Sequence, residues 1–224
     1  MKVYIKQLVL GKMRNCVYLV GCAEQRKCVV VDPAWDINSI VQTATADGME
    51  ICGIVATHYH PDHIGGRVWG HNIAGIADLL EQLDIPVYAH KLEVDGISKV
   101  TGISNSSIKA CASGDVIAIG NTAITTIHTP GHTPGSQCIA LADNLVSGDT
   151  LFISGCGRVD LPGGDVDQLY DSLTHKIKKL PPHTTILPGH HYDKELTASL
   201  AHVLKVNPYL QVESRQAFQS IRCP

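Results

Sequence analysis

The stretch Thr57-His58-Tyr59-His60-Pro61-Asp62-His63 decides how the rest of this chain is interpreted. Three histidines and one carboxylate fall within six positions, directly after the apolar run at residues 51–56. So many ionisable side chains at the end of a buried strand are hard to explain by packing alone. Because imidazole and carboxylate groups are preferred ligands of zinc and iron, the stretch predicts a metal site.

Three later segments repeat this arrangement, with a histidine or an aspartate beside a glycine just after an apolar, strand-like run. They lie at residues 129–136, 147–150 and 187–191. Glycine allows the tight turns that direct such side chains inward. The candidate ligands are therefore His58, His60, Asp62, His63, His132, Asp149 and His190. Seven ligands are too many for one four-coordinate ion and suit two ions that share a bridging carboxylate.

The hydrophobic pattern predicts short strands in the first third of the chain and strands again from about Asp115. Helical spacing occurs at residues 36–46, 73–83 and 165–180, and a last helix is predicted to begin near Asp193. No fixed-period repeat, low-complexity tract or linker divides the sequence. We therefore predict an α/β (α+β) fold, a four-layer αββα sandwich in a single domain spanning residues 1–224.

The composition limits the classes of partner. The 224 residues are 44% apolar and 17% charged, with a net charge of −3, which does not favour nucleic-acid binding. No apolar run has the length of a membrane span, and the first residues lack the features of a signal peptide. Eight cysteines without a C-x-x-C pair indicate reduced, buried thiols. We predict a cytoplasmic protein with a small-molecule substrate; the sequence leaves open whether the chain forms a homo-oligomer.

Four ordered blocks together resemble the metallo-β-lactamase superfamily. They are THYHPDH at 57–63, TPGHTPGS at 129–136, SGDTLF at 147–152 and PGHHY at 188–192. The resemblance implies the αββα sandwich of that superfamily and two divalent ions, either zinc, iron or one of each. It assigns the first ion to His58, His60, His132 and Asp149. It assigns the second ion to Asp62, His63, His190 and the shared Asp149.

The segment from Gly148 to Arg158 is similar to the glyoxalase II (hydroxyacylglutathione hydrolase) branch. It is equally similar to the persulfide dioxygenase branch, which has one iron. The resemblance implies substrate-binding roles for Arg158 and Tyr192, and Trp69 lies in an inserted segment that could face the substrate. Because little sequence follows His190, we expect no separate carboxyl-terminal glutathione-binding domain. Glutathione as the substrate handle therefore stays open.

The ligand set favours a metal-dependent hydrolase, in which metal-bound hydroxide attacks a carbonyl and Asp62 and Asp149 are the catalytic carboxylates. The sequence contains neither a G-x-S-x-G elbow nor a P-loop. A thioester of the hydroxyacylglutathione type is the predicted substrate, because a thiolate leaves without strong acid assistance.

The same ligands leave further functions open. A persulfide dioxygenase would hold a single Fe(II) on two histidines and one carboxylate, namely His58, His132 and Asp149. A hydrolase of lactones or of esters without sulfur would use the two-ion set in the same way as a thioesterase. A non-enzymatic metal-binding or sensing domain is less favoured, because the ligand set is complete.

Overall fold

Two six-stranded sheets face each other, and helices cover the outer face of each sheet. The computed structural model describes residues 2–68 and 70–221. In chain order the strands are β1 (Val3–Leu10), β2 (Asn15–Cys22), β3 (Lys27–Val31), β4 (Glu50–Val55), β5 (Gly66–Val68), β6 (His71–Ile73), β7 (Val87–His90), β8 (Ile108–Cys111), β9 (Val116–Ile119), β10 (Thr122–His128), β11 (Gln137–Leu141), β12 (Asn144–Gly148), β13 (Thr185–Pro188) and β14 (Ala198–Ser199).

The helices are short. They are α1 (Ile37–Ala46), α2 (Pro61–Ile64), α3 (Ile76–Leu80), α4 (Val94–Thr101), α5 (Val166–Asp171), α6 (Leu200–Val206), α7 (Pro208–Gln211) and α8 (Arg215–Ser220). The chain after α5 continues through a π-helical turn over Ser172–Lys176 and a 3₁₀ turn over Ile177–Lys179, so the region predicted as one helix is helical almost throughout. Within the described residues, no helix is long and apolar enough to cross a membrane.

The first sheet has the order β1-β2-β3-β4-β7-β8, and the second has the order β14-β13-β12-β11-β10-β9. Strand β2 shows why the two sheets stack, because all eight of its residues are buried. Its alternate residues Tyr18 and Val20 pack between the sheets, whereas Val17 and Leu19 pack against the helices of the first layer. A strand with two apolar faces needs a covering layer on both sides. The predicted four-layer αββα sandwich is confirmed.

The strand directions bring the loops that carry the candidate ligands to one edge of the two sheets. Strand β12 is parallel to β13, and β10 runs in the same direction because both β10 and β12 are antiparallel to β11. In the first sheet, β4 is parallel to β3 and to β7. The buried Gln137 joins the halves at this edge, since its backbone N–H donates to the Thr57 carbonyl at 3.0 Å and its side-chain amide donates to the Ala56 carbonyl at 2.8 Å.

Two predicted helices begin later than the sequence indicated. Helix α3 lies inside the predicted region 73–83 but is shorter, because Ile73 is the last residue of strand β6, which forms a hairpin with β5. Helix α3 starts only after Gly75, whose N–H donates to the Asp78 carboxylate at 2.8 Å. The last helical region begins at Leu200 rather than near Asp193. The Asp193 carboxylate instead accepts a hydrogen bond from the Ser154 hydroxyl, and the chain from Asp193 to β14 runs as a loop.

Candidate metal centre

All seven predicted ligands meet at the shared edge of the two sheets. His58 and His60 follow β4, and the short helix α2 carries Asp62 and His63. The loops after β10, β12 and β13 supply the other three, which are His132, Asp149 and His190. Six of the seven are buried, and His60 is half-buried. A register shift between Val146 and Gly148 at the end of β12 immediately precedes Asp149, as is common where a strand directs a side chain into a site.

The ligands form two clusters. In the first cluster, which consists of His58, His60 and His132, the candidate ligand atoms all lie within 4.8 Å of one another. The second cluster consists of Asp62, His63 and His190, and its candidate ligand atoms also lie within 4.8 Å of one another.

Asp149 lies between the two clusters. Its Oδ2 is 3.6 Å from His132 Nε2 and 3.4 Å from His190 Nε2, and its Oδ1 is 3.3 Å from His63 Nε2. One carboxylate therefore contacts ligands of both clusters, as a bridging ligand must.

Neutral groups orient the rings of the first cluster. His132 Nδ1 lies 2.7 Å from the Arg158 carbonyl oxygen, which can only accept, so Nδ1 carries the proton and Nε2 presents its lone pair. His58 Nδ1 lies 3.0 Å from the Thr57 hydroxyl. Within the described residues, the buried Nε2 atoms of His58 and His132 have no hydrogen-bond partner. Such orphaned atoms are costly unless something fills the site, and a divalent cation is the partner that this donor set suits.

A charged group and a backbone carbonyl orient the second cluster. His190 Nδ1 lies 3.0 Å from the Met13 carbonyl oxygen, and His63 Nδ1 lies 3.1 Å from Asp32 Oδ2. The Nε2 atoms of the two histidines are 3.1 Å apart and face the same space. Both histidines therefore direct Nε2 toward the position of an ion, with the opposite nitrogen engaged, as in most protein metal sites.

Asp32 is a residue of the site that the sequence did not identify. It is 2% exposed and accepts hydrogen bonds from the Thr57 N–H at 2.7 Å and the Thr57 hydroxyl at 2.6 Å, in addition to contacting His63. Its oxygens can hold an ion together with His58 and His63 by distance alone. Both of its oxygens already accept hydrogen bonds, and the contact with His63 Nδ1 suits Asp32 to orient that ring. The sequence feature that could have identified Asp32 is its position directly after strand β3, which pairs with β4, the strand that leads to His58.

A second chain of contacts fixes Asp62. The Trp35 indole N–H donates to Asn15 Oδ1 at 2.8 Å, and Asn15 Nδ2 donates to Asp62 Oδ2 at 2.9 Å. Since an indole can only donate, it determines which end of the Asn15 amide faces Asp62. The Asp62 carboxylate is thereby held as an acceptor.

The electrostatics of the two clusters differ. Burial lowers the pKa of His58 well below its usual range, lowers that of His60 to about 4, and lowers that of His132. Burial also acts to lower the pKa of His63, but the carboxylates of Asp149 and Asp62 outweigh it and raise that pKa well above normal. For Asp149 burial acts to raise the pKa, yet His190 and His63 hold it well below normal.

Two of the three predicted substrate residues, Arg158 and Tyr192, lie at the rim of the centre. The Arg158 guanidinium is exposed and forms a two-point ion pair with Asp160, with both nitrogen–oxygen distances 2.6 Å. Tyr192 is 57% exposed, and its ring stacks on the His190 ring with centroids 4.6 Å apart and an interplanar angle of 7°. Trp69 lies outside the described residues. The substrate-binding roles of all three remain predictions.

The comparisons with known proteins agree with this geometry. The model of the metallo-beta-lactamase superfamily matches residues 11–190, so the chain belongs to that superfamily. A hydroxyacylglutathione hydrolase of Nitrosococcus oceani is 37% identical over 183 residues, which cover 80% of this chain and 63% of that protein. The probable polyketide biosynthesis zinc-dependent hydrolase BaeB of Bacillus velezensis is 28% identical, covering 93% of this chain and 87% of that protein.

Among solved structures, ETHE1 from Myxococcus xanthus is similar over 99% of this chain and 92% of its own, with a TM-score of 0.81 and 27% sequence identity. The chain is thus a metal-binding member of the superfamily, of the glyoxalase II-like kind, and its curated relatives support a metallo-hydrolase.

Proposed function

We propose that this protein is a metal-dependent thioester hydrolase that acts on hydroxyacyl thioesters of the hydroxyacylglutathione type. The observation that carries the proposal is the position of Asp149, whose carboxylate contacts histidines of both clusters. A complete set of ligands on both sides of one bridging carboxylate suits two divalent ions, zinc, iron or one of each. The first would be held by the first cluster and Asp149, and the second by the second cluster and Asp149.

When bound, such ions lower the pKa of a coordinated water from 15.7 to about 7 and polarise a carbonyl oxygen. The protein's own contribution is to place acceptors around the reacting groups. Asp62 Oδ2 lies 3.4 Å from the Nε2 atoms of both His63 and His190, and Asn15 fixes its orientation. The Asp62 carboxylate can therefore accept a proton from the attacking water as a general base. A thiolate leaving group needs no strong acid, which suits a site whose buried carboxylates serve as ligands.

The rim of the centre supports a small, partly apolar substrate with an anionic handle. Phe152 lies edge-on to the Tyr192 ring, with centroids 5.5 Å apart, and the two rings form an aromatic wall beside His190. Such a wall can pack against an acyl group. Arg158 is exposed and can exchange Asp160 for a carboxylate of the substrate. The relatives from Nitrosococcus oceani and Bacillus velezensis, both named as hydrolases, support hydrolysis as the reaction class.

The test is thiol release from a 2-hydroxyacyl thioester of glutathione by the purified protein. We expect steady turnover that a chelator abolishes and added zinc restores. His190→Ala should lower kcat/KM by more than about 100-fold, because it removes a ligand of the second ion. His183→Ala is the matched control, since His183 is exposed and contacts only Asp143 at 3.2 Å among the described residues. Activity that survives chelation, or oxygen consumption on glutathione persulfide with little effect of His190→Ala, would overturn the proposal.

A further inference from the structure

Glu93 is a fully buried carboxylate outside the ligand set. It lies directly before helix α4 and has 0% exposure. No lysine, arginine or histidine forms an ion pair with it among residues 2–68 and 70–221. A buried charge without a counter-ion is costly unless hydrogen bonds compensate it. Burial raises the pKa of Glu93 to about 7 even though three donors stabilise the carboxylate.

The three donors come from the two loops that build the first cluster. Glu93 Oε2 accepts from the Tyr59 N–H at 2.7 Å, and Tyr59 lies between His58 and His60 in sequence. Glu93 Oε1 accepts from the Thr133 hydroxyl at 2.9 Å and from the Gly135 N–H at 2.6 Å. Thr133 directly follows His132. One carboxylate therefore spans the gap between the loops that carry all three histidines of the first cluster.

Two glycines make this close approach feasible. A Cβ atom on Gly135 would lie 2.7 Å from Glu93 Cγ, which is closer than real Cβ contacts allow. A Cβ atom on Gly96 in helix α4 would lie 2.7 Å from the Tyr59 ring. The Tyr59 hydroxyl in turn donates to the Pro162 carbonyl at 2.7 Å, so this side chain is fixed at both ends. The first turns of α4 thus dock directly against the loop that carries His58 and His60.

We propose that Glu93 is a positioning residue that sets the spacing between the His58–His60 loop and the His132 loop, and so sets the metal affinity of the first cluster. The inference rests on the metal centre of the proposed function. It predicts that a change at Glu93 weakens metal binding at the first cluster and spares the second. The ligands of the second cluster are held by Asp32, Asn15 and the Met13 carbonyl, none of which hydrogen-bonds to Glu93. A merely structural role for Glu93 would instead affect both clusters through overall stability.

Glu93→Gln is the decisive variant. The amide oxygen can still accept at one position, and we expect it to face the two donors from Thr133 and Gly135. The amide nitrogen would then oppose the Tyr59 N–H, donor against donor, and release the loop of His58 and His60. Removal of such supporting contacts typically costs 10-fold to 100-fold in metal affinity.

The experiment measures zinc dissociation constants by competition with a chromophoric chelator in two backgrounds. His190→Ala isolates the first cluster, and His132→Ala isolates the second. We expect Glu93→Gln to weaken zinc binding by about 10-fold to 100-fold in the His190→Ala background and by less than about threefold in the His132→Ala background. The visible spectrum of the cobalt-loaded protein should change only in the first of these.

Thr126→Val is the matched control, because it removes a buried hydrogen bond of 2.6 Å, from the Thr126 hydroxyl in strand β10 to the Ala112 carbonyl in the loop between β8 and β9. It should lower the melting temperature without selective loss of zinc. Equal weakening in both backgrounds by Glu93→Gln, or no weakening in the His190→Ala background, would overturn the inference.

If Glu93→Gln does not fold, Thr133→Val removes one of the three donors to Glu93, together with the contact of the Thr133 hydroxyl with the Ser136 hydroxyl. It should weaken zinc binding at the first cluster by about threefold to tenfold, in line with the loss of a hydrogen bond, and no weakening would overturn the inference. A native protein that takes up only one ion would contradict the two-ion function. The effect of Glu93→Gln on zinc binding by the first cluster could still be measured in the His190→Ala background.

Discussion

The two clusters of the metal centre carry similar ligands but are held in different ways. Neutral acceptors, the Thr57 hydroxyl and the Arg158 carbonyl, orient rings of the first cluster. The second cluster depends on the buried carboxylate of Asp32 and on the amide of Asn15. A carboxylate on Nδ1 makes an imidazole more basic and a stronger ligand. The two positions therefore differ in their supporting groups as well as in the carboxylate of Asp62, which only the second cluster contains.

Backbone strain is also concentrated at the second cluster. Asp32 has φ of 53° and Trp35 has φ of 75°, values in the left-handed region that non-glycine residues rarely adopt. Arg14, with φ of 56°, belongs to the turn that brings the Met13 carbonyl to His190. Such strain persists only where surrounding contacts compensate it, and it is typical of functional sites. Asp32 also accepts hydrogen bonds from Thr57, whose hydroxyl contacts His58, so this strained residue reaches the first cluster as well.

Asp149→Asn should produce the largest effect, because Asp149 alone serves both clusters. We expect the number of bound ions to fall from two to one or none, and kcat/KM to fall by more than about 100-fold. Metal analysis of the purified variant and the thioester assay check this. Asp160→Asn, a change at the exposed partner of Arg158, is the control and should retain both ions. Retention of two ions by Asp149→Asn would remove the bridging role.

Asp32→Asn should weaken metal binding at the second cluster more than at the first, because Asp32 contacts His63 directly and reaches His58 through the Thr57 hydroxyl. The amide would place a donor against the Thr57 hydroxyl and His63 Nδ1, which favours the tautomer with the proton on His63 Nε2, toward the ion. We expect a loss of about 10-fold to 100-fold in affinity at the second cluster, measured in the His132→Ala background. Asp36→Asn is the control, since Asp36 caps helix α1 at the surface and touches no ligand. Equal losses of zinc affinity at both clusters would show that Asp32 does not support the second cluster in particular.

The pH dependence of the metal-free protein should report on Glu93. The pKa of Glu93 is about 7 in the folded state and about 4.5 when unfolded, so the folded state binds its proton more tightly. The resulting stability is fully present below pH 4.5 and is lost as the pH rises through about 7. Between pH 5 and pH 8 we expect the native protein to lose about 2 kcal/mol more stability than Glu93→Gln. Urea unfolding of both proteins at several pH values checks this, and parallel curves would contradict it.

Trp35→Phe should have the smallest effect. It removes the indole donor to Asn15 and keeps an aromatic ring, so the Asn15 amide loses the contact that fixes its orientation. One lost hydrogen bond of about 1 kcal/mol corresponds to a loss of about threefold to tenfold in affinity at the second cluster. The first cluster should bind zinc as in the native protein. A larger loss there than at the second cluster would show that Trp35 acts through general packing.

The candidate ligands, which the structure brings together, could be located from the sequence because each lies in a short motif after an apolar run. His132, Asp149 and His190 stand beside glycines in loops, where a histidine or aspartate is easily recognised. The four-layer fold also followed, since strands with apolar residues on both faces must be covered on both sides. The helix predicted over residues 73–83 was too long, because Ile73 fits helical spacing as well as it fits the end of strand β6.

The supporting residues could not be predicted in the same way. Asp32 before Pro33 reads as a turn former, and only the parallel pairing of β3 with β4 brings it to Thr57 and His63. Glu93 reads as an ordinary acidic residue at the start of a helix. Its partners lie 34 to 42 positions away in the chain, a separation that carries no local signal. Long-range contacts of this kind depend on the assembled fold.

Metal content per chain, measured after purification without added metal and followed by paired activity assays, distinguishes a two-ion hydrolase from a one-iron dioxygenase. We expect two ions per chain, zinc, iron or one of each, and hydrolysis of a hydroxyacyl thioester that ends when the ions are removed. One iron per chain, with oxygen consumption on glutathione persulfide and no thioester hydrolysis, would contradict it.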